Sequence, residues 1–456
     1  MMTLDVGDVI DEGRWTTYQK LLILGTALTI ILDGVDNQLL GNAVPLLMKE
    51  WSLPRGAFST VLALSPFGMM IGGAVGGMLG DRIGRRTSLL FSVISFAVLT
   101  LAIATVNELM MLGTLRFLAG LGLGGAMPNA AALSSEYVPR RQRPFAVTLT
   151  IVCIPLGGTL AALISARVLP VYGWRTLFVL GGIIPIVLAL LLFKVLPESP
   201  RYLASRRERW PELITLLRKL GHDVPPDANF VEAHTGQASK PHASMRDLFV
   251  PEFRRDTLGL FGSFFFCLLV NYVGILLLVA TLTGAGFTQV AASNALGWWN
   301  IGGVVGAILG ALVIQRFGSR ITMLGLSAVA IASAFIVAAM PIDPQSASLL
   351  FMFVVLGGTL NAVQTTMYAL AANVYPTEIR GTGIGTAVAV GRIGNVLASY
   401  TGNFALDLGG PPAYFSSFGV GMVAVFISLA VIRRHIGRAV SDIPAVKAGA
   451  RAGSSV

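Results

Sequence analysis

Apolar residues fall in long blocks along this chain, and the polar residues between them decide what the blocks are. Runs cover residues 20–41, 57–79, 87–106, 109–135, 145–169 and 174–196. A polar stretch covers about 197–255, and six more runs cover 256–281, 290–314, 321–341, 347–371, 383–405 and 412–433. Each is close to the ~20 residues that a helix needs to cross a bilayer. The pattern predicts an all-α membrane protein with twelve transmembrane helices in two six-helix halves. Its divisions are a cytoplasmic N-terminal segment (1–19), an N-terminal bundle (20–196), a cytoplasmic linker (197–255), a C-terminal bundle (256–433) and a cytoplasmic tail (434–456). The linker carries one short amphipathic helix near 211–220. From Val224-Pro225-Pro226 to His242 it reads as flexible, and the last residues, rich in Ala, Gly and Ser, read as disordered.

Composition agrees with that pattern. Charged residues make up 12% of the 456-residue chain and hydrophobic ones 54%, against about 25% charged in a soluble domain. The 52 glycines suit close helix packing in lipid. Cys153 and Cys267 lie in apolar spans and read as packing residues, so no disulfide, metal or cofactor is expected. No cleavable signal peptide is expected either, since the N-terminus is acidic and the first apolar run is too long. The net charge of +10 would fit nucleic acid, but its distribution excludes that reading. Arg82, Arg85 and Arg86 follow span 2; Arg140, Arg141 and Arg143 follow span 4; Arg316 and Arg320 follow span 8. The linker and tail are also basic, whereas the alternate loops are nearly bare. Lys and Arg mark cytoplasmic loops, so both termini are expected in the cytoplasm.

The halves repeat. Residues 76–86 after span 2 match 310–320 after span 8, and Glu136-x-x-Pro139 with Arg143 matches Asn373-x-x-Pro376 with Arg380. Two repeats of like orientation imply a pseudo-twofold axis along the membrane normal.

Several polar residues stand inside the apolar spans, where they are costly and usually functional. Asp33 and Asp36 in span 1 are i and i+3, on one helix face, and should titrate as a coupled unit. The readings are a structural pair neutralised by an arginine, or a proton or substrate site. Arg116 in span 4 needs an anion, and these acids are candidates; Asp33 is expected nearer Arg116, with Asp36 the more exchangeable acid. Arg392 lies about 15 Å into span 11, where a guanidinium suits a carboxylate ligand; a structural ion pair is the alternative. In span 10, Asn361, Gln364, Thr365 and Tyr368 form one polar face, either lining a cavity or bonding between helices. Asn129, Asn271, Trp298 and Asn300 are further candidates for substrate contact. His222, His234, His242 and His435 lie in loops or the tail, so a histidine proton relay is not expected.

The Gly80-Asp81-Arg82-Ile83-Gly84-Arg85-Arg86 turn resembles the signature loop of the major facilitator superfamily. Asp33-Gly34-Val35-Asp36 and span 4 (Arg116 to Asn129, then Glu136) resemble the superfamily's aromatic acid:proton symporter family. So do Gly173-Trp174-Arg175, Pro197-Glu198-Ser199-Pro200-Arg201, Tyr375 to Gly383 and Gly391-Arg392-Ile393-Gly394. The resemblance covers residues 20–435. It implies import of a benzoate-type acid with protons by a monomer in a bacterial-type inner membrane. Its essential positions fall on Asp33, Asp36, Asp81, Arg116, Glu136, Arg380 and Arg392. Proton coupling is expected of Asp33, Asp36, Arg116 and Glu136. Gating is expected of Gly80, Asp81, Arg82, Gly84, Arg85, Arg86, Arg143 and Arg380. Val35 stands where the family has an aromatic residue, and Gln315 where the loop after span 8 often has an acid. A proton-driven exporter and a non-transporting receptor are the rival readings. An enzyme is not expected, because the spans hold no nucleotide loop, metal cluster or Ser/His pair.

Overall fold

The computed structural model of the protein describes residues 3–222, 224–225, 228–231 and 245–437. His234, His242 and most of the predicted tail lie outside them. Among the described residues, ten helices are long and apolar enough to cross a membrane. In chain order the helices are α1 (Val6–Asp11), α2 (Thr17–Trp51), α3 (Phe58–Ile83), α4 (Arg85–Ile103), α5 (Leu109–Gly124), α6 (Ala126–Glu136) and α7 (Arg143–Val195). Two linker helices follow, α8 (Pro200–Ala204) and α9 (Trp210–Lys219). The remainder are α10 (Arg254–Gly284), α11 (Gln289–Phe317), α12 (Ser319–Ala339), α13 (Ala347–Val374) and α14 (Thr377–Val431).

The count of ten differs from the predicted twelve for a local reason. α7 runs through Gly173, whose φ of 75° is non-helical, and α14 runs through Gly409 and Gly410, which are also non-helical. The sequence-predicted breaks at 170–173 and 406–411 fall on these kinks. α5 and α6 meet at Gly125 and together fill the fourth predicted span.

Local signals set the helix ends. Thr16 caps α2 with a full capping box to Gln19, and Ser52 ends it in the left-handed region at φ 52°, a helix-ending conformation more often taken by glycine. Outward faces carry large apolar side chains such as Leu21, Phe91, Phe193, Leu312 and Phe404, a surface suited to lipid. The predicted linker helix is α9, with Leu213, Leu216 and Leu217 buried. One element went unpredicted. Residues Thr3–Asp5 pair in parallel with Asn229–Val231 as a two-stranded sheet, β1 and β2. The N-terminal segment is thereby fastened to the linker, with Arg143 ion-paired to Asp11. His222 stands against Gly13 in this assembly, and burial pushes its imidazole below the ordinary range.

The first and last described segments both meet the linker at one end of the helix array. Arg434 pairs with Glu252 at 2.5 Å, and the Arg433 amide donates to Asp256 at 2.6 Å. At the far end, α2 and α3 are laced to α11 and α14. Arg55 donates to Asn403 at 2.7 Å and pairs with Asp407 at 2.8 Å. Asn403 donates to the Ser59 hydroxyl at 2.8 Å, Ser399 to the Ser59 carbonyl at 2.8 Å, and Gln289 to the Asn42 carbonyl at 2.9 Å.

Candidate functional site

The two predicted acids of α2 are separated by the packing around them. Gly34 lies against the backbone of Ile154 and Gly157 in α7, where a Cβ would collide with the Ile154 carbonyl. This close crossing turns Asp33 and Gln38 toward a central cavity. Asp36 points the other way. It pairs with Arg116 at 3.1 Å and accepts from the Thr100 hydroxyl at 2.7 Å. Arg116 also donates to the Asp36 carbonyl at 3.2 Å, and both side chains are sealed, each 2% exposed. The expected order is therefore reversed: Asp36, not Asp33, holds the arginine. Asp33 accepts from Asn37 at 2.7 Å and has no ion-pair partner among the described residues.

The cavity is walled by α2, α3 and α5–α7 on one side and by α10, α11, α13 and α14 on the other. All four polar residues of the α13 face, Asn361, Gln364, Thr365 and Tyr368, line it, as do Asn271, Asn300 and Arg392. Gln38 and Asn300 exchange two hydrogen bonds of 2.9 Å across it, and Asn271 donates to Gln364 at 2.5 Å. Asn37, Tyr272 and Asn395 line it as well, and the rest of the wall is apolar, including Met69, Leu268 and Ile275. Arg392 is partly buried and donates to the Met69 carbonyl at 2.6 Å. Among the described residues no carboxylate lies within ion-pairing distance of it. The planar guanidinium of Arg392 has the chemistry to pair with a carboxylate. A second recess, lined by Gly73, Ala131, Gly385 and Ala389, shares Met127, Tyr368 and Arg392 with the cavity. These helix positions lie on its linker side.

The model of the Major Facilitator Superfamily matches residues 26–399 and 259–452. The gallate transporter of Pseudomonas putida is 33% identical over 93% of this chain and 94% of its own. The 4-hydroxybenzoate transporter of the same organism is 32% identical, covering 89% and 90% of the two chains. The benzoate transport protein of Acinetobacter baylyi is 30% identical, covering 93% and 92%. Among solved structures, the D-xylose-proton symporter superposes with a TM-score of 0.68 at 18% identity, covering 92% and 99%. The inward-open xylose transporter of E. coli gives 0.69 at 17%, covering 91% and 97%.

This chain belongs to the Major Facilitator Superfamily. Its relatives place it with that superfamily's aromatic-acid transporters, and it is a transporter, not an enzyme.

The superfamily turn forms a network of its own at the linker end. Gly84, at φ 104°, turns α3 into α4, a conformation that favours glycine. Glu198 seats its carboxylate on the start of α4, accepting from the Arg86 amide at 2.8 Å and the Thr87 amide at 3.4 Å, where helix N-termini favour anions. Arg85 joins Asp81 at 2.8 Å to Glu136 at 3.1 Å, and Ser199 donates to Glu136. The Arg82 carbonyl accepts from Arg206 at 2.8 Å. Arg143 donates to the Ser135 carbonyl at 3.1 Å, and Arg380 to the Tyr375 carbonyl at 3.3 Å.

Besides the sealed Asp36–Arg116 pair, three residues predicted for proton coupling or substrate contact stand apart from the cavity. Glu136, expected with the proton-coupling acids, belongs to the linker-end network. Asn129 is packed among α3, α4 and α6, donating to the carbonyls of Gly76 and Gly125 and to the Ser88 hydroxyl. Trp298 is 46% exposed on the outer face, while its neighbour Trp299 is fully buried. Four residues that sequence reasoning gave no role do belong here. Gln38, Tyr272 and Asn395 line the cavity, and Glu198 caps α4. Asn395 is i+3 from Arg392, so a count of polar positions along span 11 would have found it.

Proposed function

We propose that this protein imports an aromatic carboxylate together with protons across a bacterial cytoplasmic membrane, by alternating access between two six-helix halves. The two glycine bends complete twelve spans, both termini are cytoplasmic, and the chain works as a monomer. Arg392 carries the proposal: a cavity guanidinium without a carboxylate partner among the described residues, close to apolar and aromatic side chains. The substrate carboxylate docks on its planar fork, and the ring lies against Met69, Leu268, Tyr272 and Ile275. Asp33 supplies the coupling. Ionised, it is a second anion beside the cation that the substrate needs; protonated, it leaves Arg392 to the substrate. A proton and a substrate anion therefore favour each other's binding, which is the reciprocity that symport requires. The far-end lacing and the linker-side recess support a state open toward the cytoplasm. The linker-end network around Asp81, Arg85, Glu136 and Glu198 gates the exchange of states.

Uptake of radiolabelled benzoate-type acids into proteoliposomes tests this reading. An inward pH gradient should drive accumulation, and collapsing it should stop accumulation. Efflux driven by the same gradient would make the protein an exporter, and binding without flux would make it a receptor.

Arg392→Lys keeps the charge but loses the planar fork. The variant should bind the acid at least about tenfold more weakly, about 1.4 kcal/mol, while a neutral amide analogue loses far less. Equal losses for acid and amide would remove Arg392 from carboxylate binding.

A further inference from the structure

Among the described residues, two buried side-chain oxygens on cavity-lining residues have no donor. Asn271 on α10 and Asn395 on α14 are 2% and 7% exposed, and both line the cavity. Among the described residues the Oδ1 atom of each lacks a hydrogen-bond partner. The contrast with the Gln38–Asn300 pair is informative. Those two amides satisfy each other twice, at 2.9 Å each way. Asn271 makes one bond, to Gln364, and its oxygen is left over. Asn42 and Asn129 also have an unpartnered Oδ1, but they stand outside the cavity, with their amide nitrogens tied to helix carbonyls.

A buried acceptor without a donor bears its full desolvation penalty until something donates to it. An ionised carboxylate cannot, since it only accepts, and ring C–H groups are poor donors. Asn395 shares a face of α14 with Arg392, one turn away, at about 5–6 Å between Cβ atoms. A ring whose carboxylate sits on Arg392 is therefore placed along the wall made by α14 and the adjacent α10, which carry Asn395 and Asn271.

We infer that Asn271 and Asn395 are specificity-determining residues that accept hydrogen bonds from ring hydroxyls, so that the cavity selects hydroxylated aromatic acids over unsubstituted ones. This rests on the proposed aromatic-acid site. The selection follows from the unpaired oxygens: a ring that lacks the donor leaves them buried and unsatisfied, which is how polar sites reject isosteres. One hydroxyl serves one oxygen, and a dihydroxylated ring serves both.

The test is the affinity of the purified full-length protein for benzoate, 4-fluorobenzoate, 4-hydroxybenzoate and 3,4-dihydroxybenzoate, measured by titration calorimetry. The wild type should bind at least one hydroxylated acid about tenfold or more tighter than benzoate and the fluoro analogue. Asn271→Leu and Asn395→Leu should each reduce that preference, with benzoate affinity kept or raised; retained benzoate binding also shows that the variant is folded. Wild-type protein binding all four acids alike would overturn the inference while leaving the aromatic-acid site standing. So would Leu variants that keep the hydroxyl preference, or that weaken all four acids equally. Absence of binding by any of the four would overturn both.

Discussion

Asp33→Asn is expected to abolish proton-driven accumulation while leaving substrate exchange across the membrane intact. Asp33 faces the cavity with Arg392, and its one side-chain donor is the neutral amide of Asn37. Asparagine at this position can still accept from Asn37, so the helix loses no contact. It also resembles the protonated acid, the form in which Arg392 is free for substrate. The variant is thus fixed in the substrate-accepting condition and has no proton to exchange. Accumulation under a pH gradient should fall by at least about tenfold, whereas counterflow, which needs binding and state exchange only, should persist. Full pH-driven accumulation in Asp33→Asn would take this acid out of the coupling mechanism. Asp36→Asn should behave differently, because it strips Arg116 of its counter-ion and weakens the fold itself.

The Asp36–Arg116 pair gives the second large effect. Both side chains are sealed from solvent, so removing one leaves the other charged without compensation, at a cost of about 3–5 kcal/mol. Arg116→Leu should therefore unfold at a clearly lower temperature than wild type in the same detergent. Adding Asp36→Leu removes the stranded carboxylate and should recover most of the loss, since apolar replacement of a whole buried pair is often neutral. A double variant no more stable than Arg116→Leu alone would show that Arg116 is not held chiefly by Asp36.

The contrast between these two acids marks how far the sequence can be read. Apolar blocks carried the span positions, because burial in lipid imposes a length and a polarity that local composition reveals. They could not show that the turns at Gly173 and Gly409–Gly410 are bends within continuous helix. The polar face of α13 was legible, since four positions at helical spacing leave one orientation for an apolar helix. Asp33 and Asp36 were not assigned correctly. Residues three apart differ by about 60° around the axis, and the Gly34–Gly157 crossing, a feature of two distant segments, decides which acid sees the cavity. Trp298 and Trp299 differ by about 100°, and packing alone sends the second inward. Glu198 was read only as part of a motif, because its partner, the start of α4, is brought to it by the fold.

α14 runs as helix from Thr377 to its bend at Gly409, and it carries both Arg392, the proposed carboxylate site, and the far-end residues Ser399, Asn403 and Asp407. Arg392 and Asp407 are about 22 Å apart along it. The proposed hook for the substrate and the far-end lacing are thus mounted on a single stiff rod. Any tilt that follows the ligand at one point is delivered to the other with no chain of intermediary side chains between them. Transmission in this protein is then a matter of leverage, and its gain is set by where along the rod the pivot falls.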